Sequence, residues 1–549
     1  MSGPPRPPPD PLAPVESAIV DHLFVLQPGY AVFLGLHRYD GLLPDLTREG
    51  TDRWVGRARE LLKELAAVPL DGLPPGRRLD AQLLGLLLES PLFDLVDARE
   101  LERNPMSYAG ALSLTAYIAR EYAPLPQRVD AIVRLLDAAP GFLAAGRARL
   151  DERIPEPFLT LTQSIASGLP AHFAETEAIA RAGSAALGDR VAAARGPAEA
   201  AVADFLSALE REYFPRRIPD FALGAEKFQR LLWVREGLTT PFDQIEEAGW
   251  ADLRRNQVRL DALAAGASPP GTVDELLESL YRKHRPASAL VPFAQGCVEE
   301  ARTFVVEHAL ATIPEPDLCR VEETPVYGRA LSTASMNPPG PFDTSTDEGI
   351  YYVTPVDPAW PAPRQEEWLR SLNDAMLRNI TVHEVYPGHY LQFLHFRRQR
   401  NASLARKVFF SASFVEGWAH YCEQLAIEAG FGRGGPEAEA AQLHDALLRN
   451  CRLLAAIALH ARGGSVEAAT ELFMREAHME RLPAEREAIR GTFNPEYFCY
   501  TLGKLAILDA RAGLLASRYA GSLRRFHDTL LGFGAPPVGV LPALLASAA

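Results

Sequence analysis

Cysteine, methionine and tryptophan are scarce: 5, 6 and 6 among 549 residues. Cys297, Cys319, Cys422, Cys451 and Cys499 lie far apart, and no C-x-x-C pair occurs. An odd, scattered set excludes a disulfide framework and fits a reduced cytoplasmic setting. Cys422 and Cys499 are conceivable nucleophiles, yet a free cysteine usually behaves as a small core residue. Long apolar runs are also missing. No stretch reaches 18 residues, so no membrane span is expected. Basic charge is in deficit, with 56 Lys and Arg against 70 Asp and Glu, a net charge of −14. That balance repels polyanions and removes nucleic acid from the expected partners. There is no G-x-S-x-G elbow for a serine hydrolase and no G-x-x-x-x-G-K-[ST] phosphate loop. No internal repeat of fixed period appears.

What is present is apolar and helical. Hydrophobic residues make up 47% of the chain, ample for a large core. The start, MSGPPRPPPDPLAP, has no apolar h-region and is expected to be a disordered proline-rich tail over residues 1–14, not a signal peptide. WVGRARELLKELAAV (from Trp54), QRVDAIVRLLDAAPGFLAAGRARL (from Gln127) and PAEAAVADFLSALEREYF (from Pro197) repeat apolar residues every three or four positions, which predicts amphipathic helices. Breakers at Pro74, Pro124 and Pro269 separate such segments. The stretch from Cys319 to Asp357 differs. VEETPVY and GIYYVTP predict short strands around a loop, hence a small antiparallel sheet. Helical patterning resumes at PRQEEWLRSLNDAMLRNI. No linker divides the rest, so residues 15–549 are expected to form one large, mainly α domain.

Four of the 13 histidines fall between His383 and His420. VHEVYPGHYLQ opens with His383 and Glu384, like a zinc-protease helix, but Pro387 stands where H-E-x-x-H has its second histidine. The next histidine is His389. On an unbroken helix, residues six apart sit about 120° out of alignment and cannot share a metal. Pro387 withholds the N–H that would bond the carbonyl of His383, and Gly388 tolerates unusual backbone angles, so a bulge there could return His389 to the face of His383. The alternative is that Pro-Gly ends one helix and HYLQFLHF starts another, leaving His389 as a capping or core residue. A second polar patch, SFVEGWAHYCEQLA, places Glu416, His420 and Glu423 on one face of an apolar helix. Buried carboxylates there require a cation or a tight hydrogen-bond network. Together the segments predict His383, His389 and Glu416 as the three protein ligands of one Zn2+. Glu384 would take a proton from the activated water and pass it to the leaving amine. Imidazole and carboxylate would also suit manganese, cobalt or iron.

A third segment, GTFNPEYFCYTLGKLAILDAR, carries Tyr497, Tyr500, Lys504 and Arg511. Tyr500 and Lys504 share a helical face. A tyrosine hydroxyl could donate to an oxyanion, and a lysine or arginine could hold a substrate carboxylate. The competing reading is that tyrosines at helical spacing are core.

These residues carry a family resemblance. LGLHRYDGLLPDLT (Leu34 to Thr47), NITVHEVYPGHYLQ, EGWAHYCEQL and FCYTLGKLAILDAR resemble the bacterial DUF885 family over most of the chain, and the H-E-x-x-P-G-H pattern explains the proline. Many members have a second histidine directly after the one matching His389; here it is Tyr390, which removes one alternative ligand. The order of parts is also similar to gluzincin-type helical carboxypeptidases and oligopeptidases, with 27 residues from His389 to Glu416. The resemblance implies a helical metallopeptidase-like fold with a deep cleft, zinc at its floor, peptide substrates and strand addition at the small sheet. His37, Tyr39 and Asp40 lie in a family-like stretch and either line that cleft or serve a helix end. Gln392 and His395 are expected to support His389. His420 either replaces a histidine ligand, orients Glu416 or faces substrate.

The expected function is therefore zinc-dependent cleavage of peptide bonds, with a peptide or small amide as partner. Two alternatives remain open: a metal-dependent hydrolase of a non-peptide amide or ester, and a silent helical binding protein with a buried polar network.

Overall fold

Apolar residues at helical spacing become helices along most of the chain. The computed structural model describes residues 10–329, 332–399, 402–432, 435–515 and 522–547. Residues 1–9 of the expected tail lie outside them, and the first helix starts at Ala13. The helix Arg48–Ala66 is capped by the Thr47 hydroxyl, which accepts the Gly50 N–H at 3.1 Å, and it buries Trp54, Ala58, Leu61 and Leu65. Leu125–Arg149, Glu156–Gly183 and Ala185–Ala208 pack on one another around Ile132, Phe173 and Val202. Pro197, expected to start a helix, sits inside the last of these, which begins instead at the Ser184 cap. Conversely, the segment PRQEEWLRSLNDAMLRNI is two helices, Ala362–Ser371 and Asp374–Glu384. Asn373 starts the second by accepting the Met376 N–H at 3.1 Å.

The strands are β1 (Cys319–Glu323), β2 (Ala334–Asn337) and β3 (Gly349–Val353), in the order β1-β3-β2. The sheet is mixed, not antiparallel as expected: β1 runs parallel to β3 and β2 antiparallel to it. The chain between β1 and β3 reverses twice, and the second strand of that path, ASMN, has no β-branched residue to announce it. Val326–Gly328, read as part of a strand, is a turn of 3₁₀-helix. β3 is buried along its whole length, while β2 is an edge strand.

Behind the sheet lies the largest core, built by Asp374–Glu384, His389–Arg398, Ala412–Ala429, Glu437–Ala461 and Cys499–Leu515. Ala412–Ala429 and Cys499–Leu515 cross through two facing glycines. A Cβ on Gly503 would stand 1.7 Å from the Ser413 carbonyl oxygen, and one on Gly417 would stand 2.4 Å from the Gly503 Cα. Backbone fills the space that a side chain needs. No helix among the described residues is long and apolar enough to cross a membrane.

Gly503→Ala is therefore expected to cost about 1–3 kcal/mol of stability, the usual range for overpacking. The reading is a lower urea midpoint. Gly513→Ala, on the same helix with nothing within 4 Å, is the control and should hold or raise the midpoint. Equal midpoints for the Gly503 variant and wild type would contradict the close crossing.

Candidate metal centre

His383 and Glu384 end the helix Asp374–Glu384. Residues 385–388 form a break, and a new helix, His389–Arg398, starts at the second histidine. The bulge considered from the sequence is not what forms. The chain stops one helix and redirects the next, and the two imidazoles still converge, with ring centroids 4.8 Å apart and planes at 86°. Gly388 makes this possible. Its N–H reaches back to the Val382 carbonyl at 3.0 Å, and a Cβ at this position would fall 1.8 Å from the His383 carbonyl oxygen. Only glycine lets the chain turn this tightly against the helix it has just left.

Glu416 comes from the next long helix, Ala412–Ala429, opened by the Ser411 hydroxyl accepting the Phe414 N–H at 2.9 Å. Its Oε2 lies 3.6 Å from His383 Nε2 and 3.4 Å from His389 Nε2. One ligand atom from each of the three residues falls within 4.8 Å of the others. Donors of a tetrahedral ion with bonds near 2.0–2.1 Å stand about 3.3 Å apart, so both histidine–glutamate distances fit. Two nitrogens and one carboxylate oxygen are also a donor set suited to zinc. The imidazoles are nearly buried, whereas the Glu416 side chain is 30% exposed, which leaves the cluster open on its side. The electrostatics favour positive charge here. Burial pulls the His383 pKa down, but Glu416 and Glu423 outweigh it and leave it up at about 9. Burial pushes Glu416 up, and the two imidazoles overcome that and hold it far below the carboxylate range.

Glu423, two turns further along the same helical face, organises the cluster from behind. Its Oε1 meets His383 Nδ1 at 2.6 Å. Its Oε2 accepts from Arg449 at 3.1 Å and Asn379 at 3.3 Å, and it contacts His420 Nδ1 at 3.4 Å. The carboxylate is wholly buried. Burial raises its pKa, but Arg449, His383 and His420 more than offset this and keep it ionised. An anion at Nδ1 anchors a proton there, so Nε2 is the nitrogen that a bound cation would take, in exchange for the proton it shares with Glu416.

Glu384 lies beside the triad with Oε2 accepting the Met336 N–H of β2 at 2.9 Å. Burial raises its pKa, opposed by the charge of the neighbouring histidines. Tyr500 stands at the same place: its ring centroid is 6.5 Å from that of His383, with the guanidinium carbons of Arg449 and Arg452 over the ring at 5.5 and 5.2 Å.

The other expected site residues fall elsewhere. Lys504 is fully buried with its ammonium 2.6 Å from Asp252 Oδ2, so it has no open charge for a substrate carboxylate. Arg511 is likewise engaged with Glu428 at 2.7 Å. His420 is fully buried, and burial followed by the Lys504 charge pulls it down to about 3, so it is a neutral partner of Glu423 and not a member of the triad. Tyr497 is buried against Gly491, in the core. Gln392 is buried one turn after His389, its amide atoms unpaired among the described residues. His395 binds the Thr312 carbonyl at 2.7 Å. His37 contacts Asp40 at 3.1 Å and stacks on Tyr122 at 3.7 Å. Tyr39 packs its ring edge on Phe24 at 5.4 Å.

Sequence reasoning missed Asn379, Arg449, Arg452 and the Met336 backbone. Three had a legible signal. Asn379 precedes His383 by one helical turn, and LLRNCRLLAAIALH sets two arginines in an otherwise apolar helix, where charge demands partners. The backbone contact had none.

A cavity of about 930 Å³ lies near the triad without being lined by it. It lies against β2, where Ser335 and Asn337 line it, while the Met336 backbone between them serves Glu384.

No curated protein matches the chain. Two solved structures share its fold. One, from Shewanella oneidensis, is described as a "putative lipoprotein of unknown function"; it is 24% identical, with a TM-score of 0.81 over 97% of this chain and 99% of that one. The other, a "putative lipoprotein" from Colwellia psychrerythraea, is 18% identical, with a TM-score of 0.78 over 97% and 98%. The family model described as "Bacterial protein of unknown function (DUF885)" matches residues 28–545, and the chain belongs to that family.

Proposed function

We propose that the chain is a zinc-dependent hydrolase of peptide bonds, with His383, His389 and Glu416 as the metal ligands. The observation that carries this reading is the approach of both histidine Nε2 atoms to one oxygen of Glu416, with a second carboxylate, Glu384, adjacent to the first ligand. A bound divalent cation would supply Lewis acidity to the attacking water and the substrate carbonyl. The rest falls to the protein. Met336 fixes one oxygen of Glu384, so the carboxylate is held in place to take a proton from water and return it to the leaving nitrogen. The amide C–N bond breaks, the hydroxyl ends on the acyl carbon, and the proton ends on the amine. Tyr500, beside His383, is positioned to donate to the developing oxyanion. Glu423 keeps His383 in one tautomer. The five cysteines are all unbonded, which supports a reducing, cytoplasmic setting.

Elemental analysis is expected to find close to one zinc per chain in the wild type and almost none in Glu416→Ala, with unchanged circular dichroism in both. A well-folded wild type that takes up no zinc when it is offered would defeat the reading.

Glu384→Gln should keep its zinc and lose about 10²–10⁴-fold in turnover on a peptide substrate. Intact turnover in that variant would remove Glu384 from the proposed proton path.

For Glu423→Gln, the amide oxygen still accepts from His383 but the charge is gone. Zinc affinity, measured by chelator competition, should fall about 10–100-fold. Unchanged affinity would show that the buried anion does not tune the site.

A further inference from the structure

The cavity beside β2 is lined by a cation, Arg120, that forms no ion pair among the described residues. Arg120 reaches into it from the end of a short helical segment, and its guanidinium meets only carbonyl and amide oxygens among the described residues. Nε and one terminal nitrogen bond Asn337 Oδ1 at 3.2 and 3.0 Å, the same terminal nitrogen also binds the Asn337 carbonyl, and the other touches the Glu348 carbonyl at 3.4 Å. The carboxylates that line the cavity are engaged elsewhere. Asp343 accepts from the Ser345 hydroxyl at 2.6 Å, Asp94 pairs with Arg235 at 2.7 Å, and Glu100 accepts from Asn104 at 2.7 Å. Burial pulls the Arg120 pKa down to about 10, against the opposing charges of Asp343 and Glu348. A second polar atom, His37 Nε2, is buried in the same cavity without a partner among the described residues, its Nδ1 being held by Asp40.

Position relates this cation to the metal centre. Arg120 grips Asn337, and the preceding residue, Met336, holds Glu384. One strand residue advances about 3.3–3.4 Å, so the guanidinium and the proposed proton carrier are anchored one step apart on the same strand. The walls of the cavity are mainly apolar, with Leu42, Leu95 and Tyr352 among them, and the volume suits a few peptide residues.

We propose that this cavity is the substrate chamber and that Arg120 receives the free C-terminal carboxylate of a peptide, so that cleavage falls near the carboxyl end. The proposal rests on the hydrolase reading of the metal centre. A carboxylate can accept the terminal N–H that no oxygen of the described residues holds and gives Arg120 the ion pair it lacks, while the acidic side chains around the chamber oppose a highly acidic ligand.

The test uses the zinc-loaded full chain carrying Glu384→Gln, titrated by calorimetry with a blocked apolar tripeptide and with the same peptide as its C-terminal amide. The acid is expected to bind about tenfold or more tighter than the amide, as a charge-assisted hydrogen bond would give. Adding Arg120→Gln should bring the acid down to the amide. Equal affinities in the protein that retains Arg120, a preference that survives Arg120→Gln, or no binding of either peptide would overturn the proposal. If Arg120→Gln does not fold, Arg120→Lys should keep part of the preference, and the acid–amide comparison on the unsubstituted chamber decides alone. Failure of the hydrolase reading shows separately, as no zinc uptake or no cleavage of either peptide by the wild type.

Discussion

The buried carboxylate of Glu423 is the interaction on which the centre depends. It lies wholly out of water, where an unpaired charge is not tolerated, and it is stabilised by groups from three helices. His383 and Asn379 come from Asp374–Glu384, Arg449 from Glu437–Ala461, and His420 from its own helix. Each donor satisfies an acceptor that would otherwise be stranded, so removing one leaves the others badly placed. The same ion pair network that ties these helices together also anchors a proton on His383 Nδ1, which leaves Nε2 as the nitrogen to face a bound cation. Structural and chemical demands therefore fall on one residue, and neither could be relaxed without the other.

Much of this was legible in the chain. The helical character followed from apolar spacing, and the triad from a histidine–glutamate pair joined to a glutamate in a buried helix. Glu423 could be flagged because a carboxylate on an apolar face must be paired, although its partners could not be named. What was not legible depended on long-range backbone placement. β2 is four residues of weak strand propensity, made a strand by the neighbour it pairs with, and the parallel β1–β3 pair cannot be told from a hairpin when only the strands are read. Tyr500 and Lys504 share a helical face by spacing, yet the first meets His383 and the second is drawn to Asp252 by a helix 252 positions away. Periodicity gives the face of a helix and not what that face meets.

The six-residue histidine spacing shows how a constraint of helix geometry is met by leaving the helix. On one continuous helix the residues would diverge by about 120°, and a bulge would have to absorb the whole error. Ending the helix at Glu384 removes the phase relation altogether. The new helix can then start at whatever angle the break allows, and that angle is set by how near residue 388 can come to the His383 carbonyl. Trp418 locks the arrangement by donating its indole N–H to the Pro387 carbonyl at 2.9 Å. Trp418 lies on the helix of Glu416, so the element that brings the third ligand also secures the break between the first two.

β2 connects this centre to the cavity. An edge strand has unpaired backbone groups, and proteins usually cover or interrupt such edges. Here one of those groups, the Met336 N–H, is spent on Glu384, and the following residue is clamped by Arg120. Side chains alternate along a strand, so Ser335 and Asn337 turn toward the cavity while the backbone between them addresses the carboxylate. A shift of β2 along its own axis would move both contacts together, since one residue cannot change register without its neighbour. β3, buried at every position, resists such a shift by holding β2 through the Met336–Tyr351 pairing. A short strand of little intrinsic propensity thus keeps the proposed proton carrier and the Arg120 guanidinium at a fixed spacing.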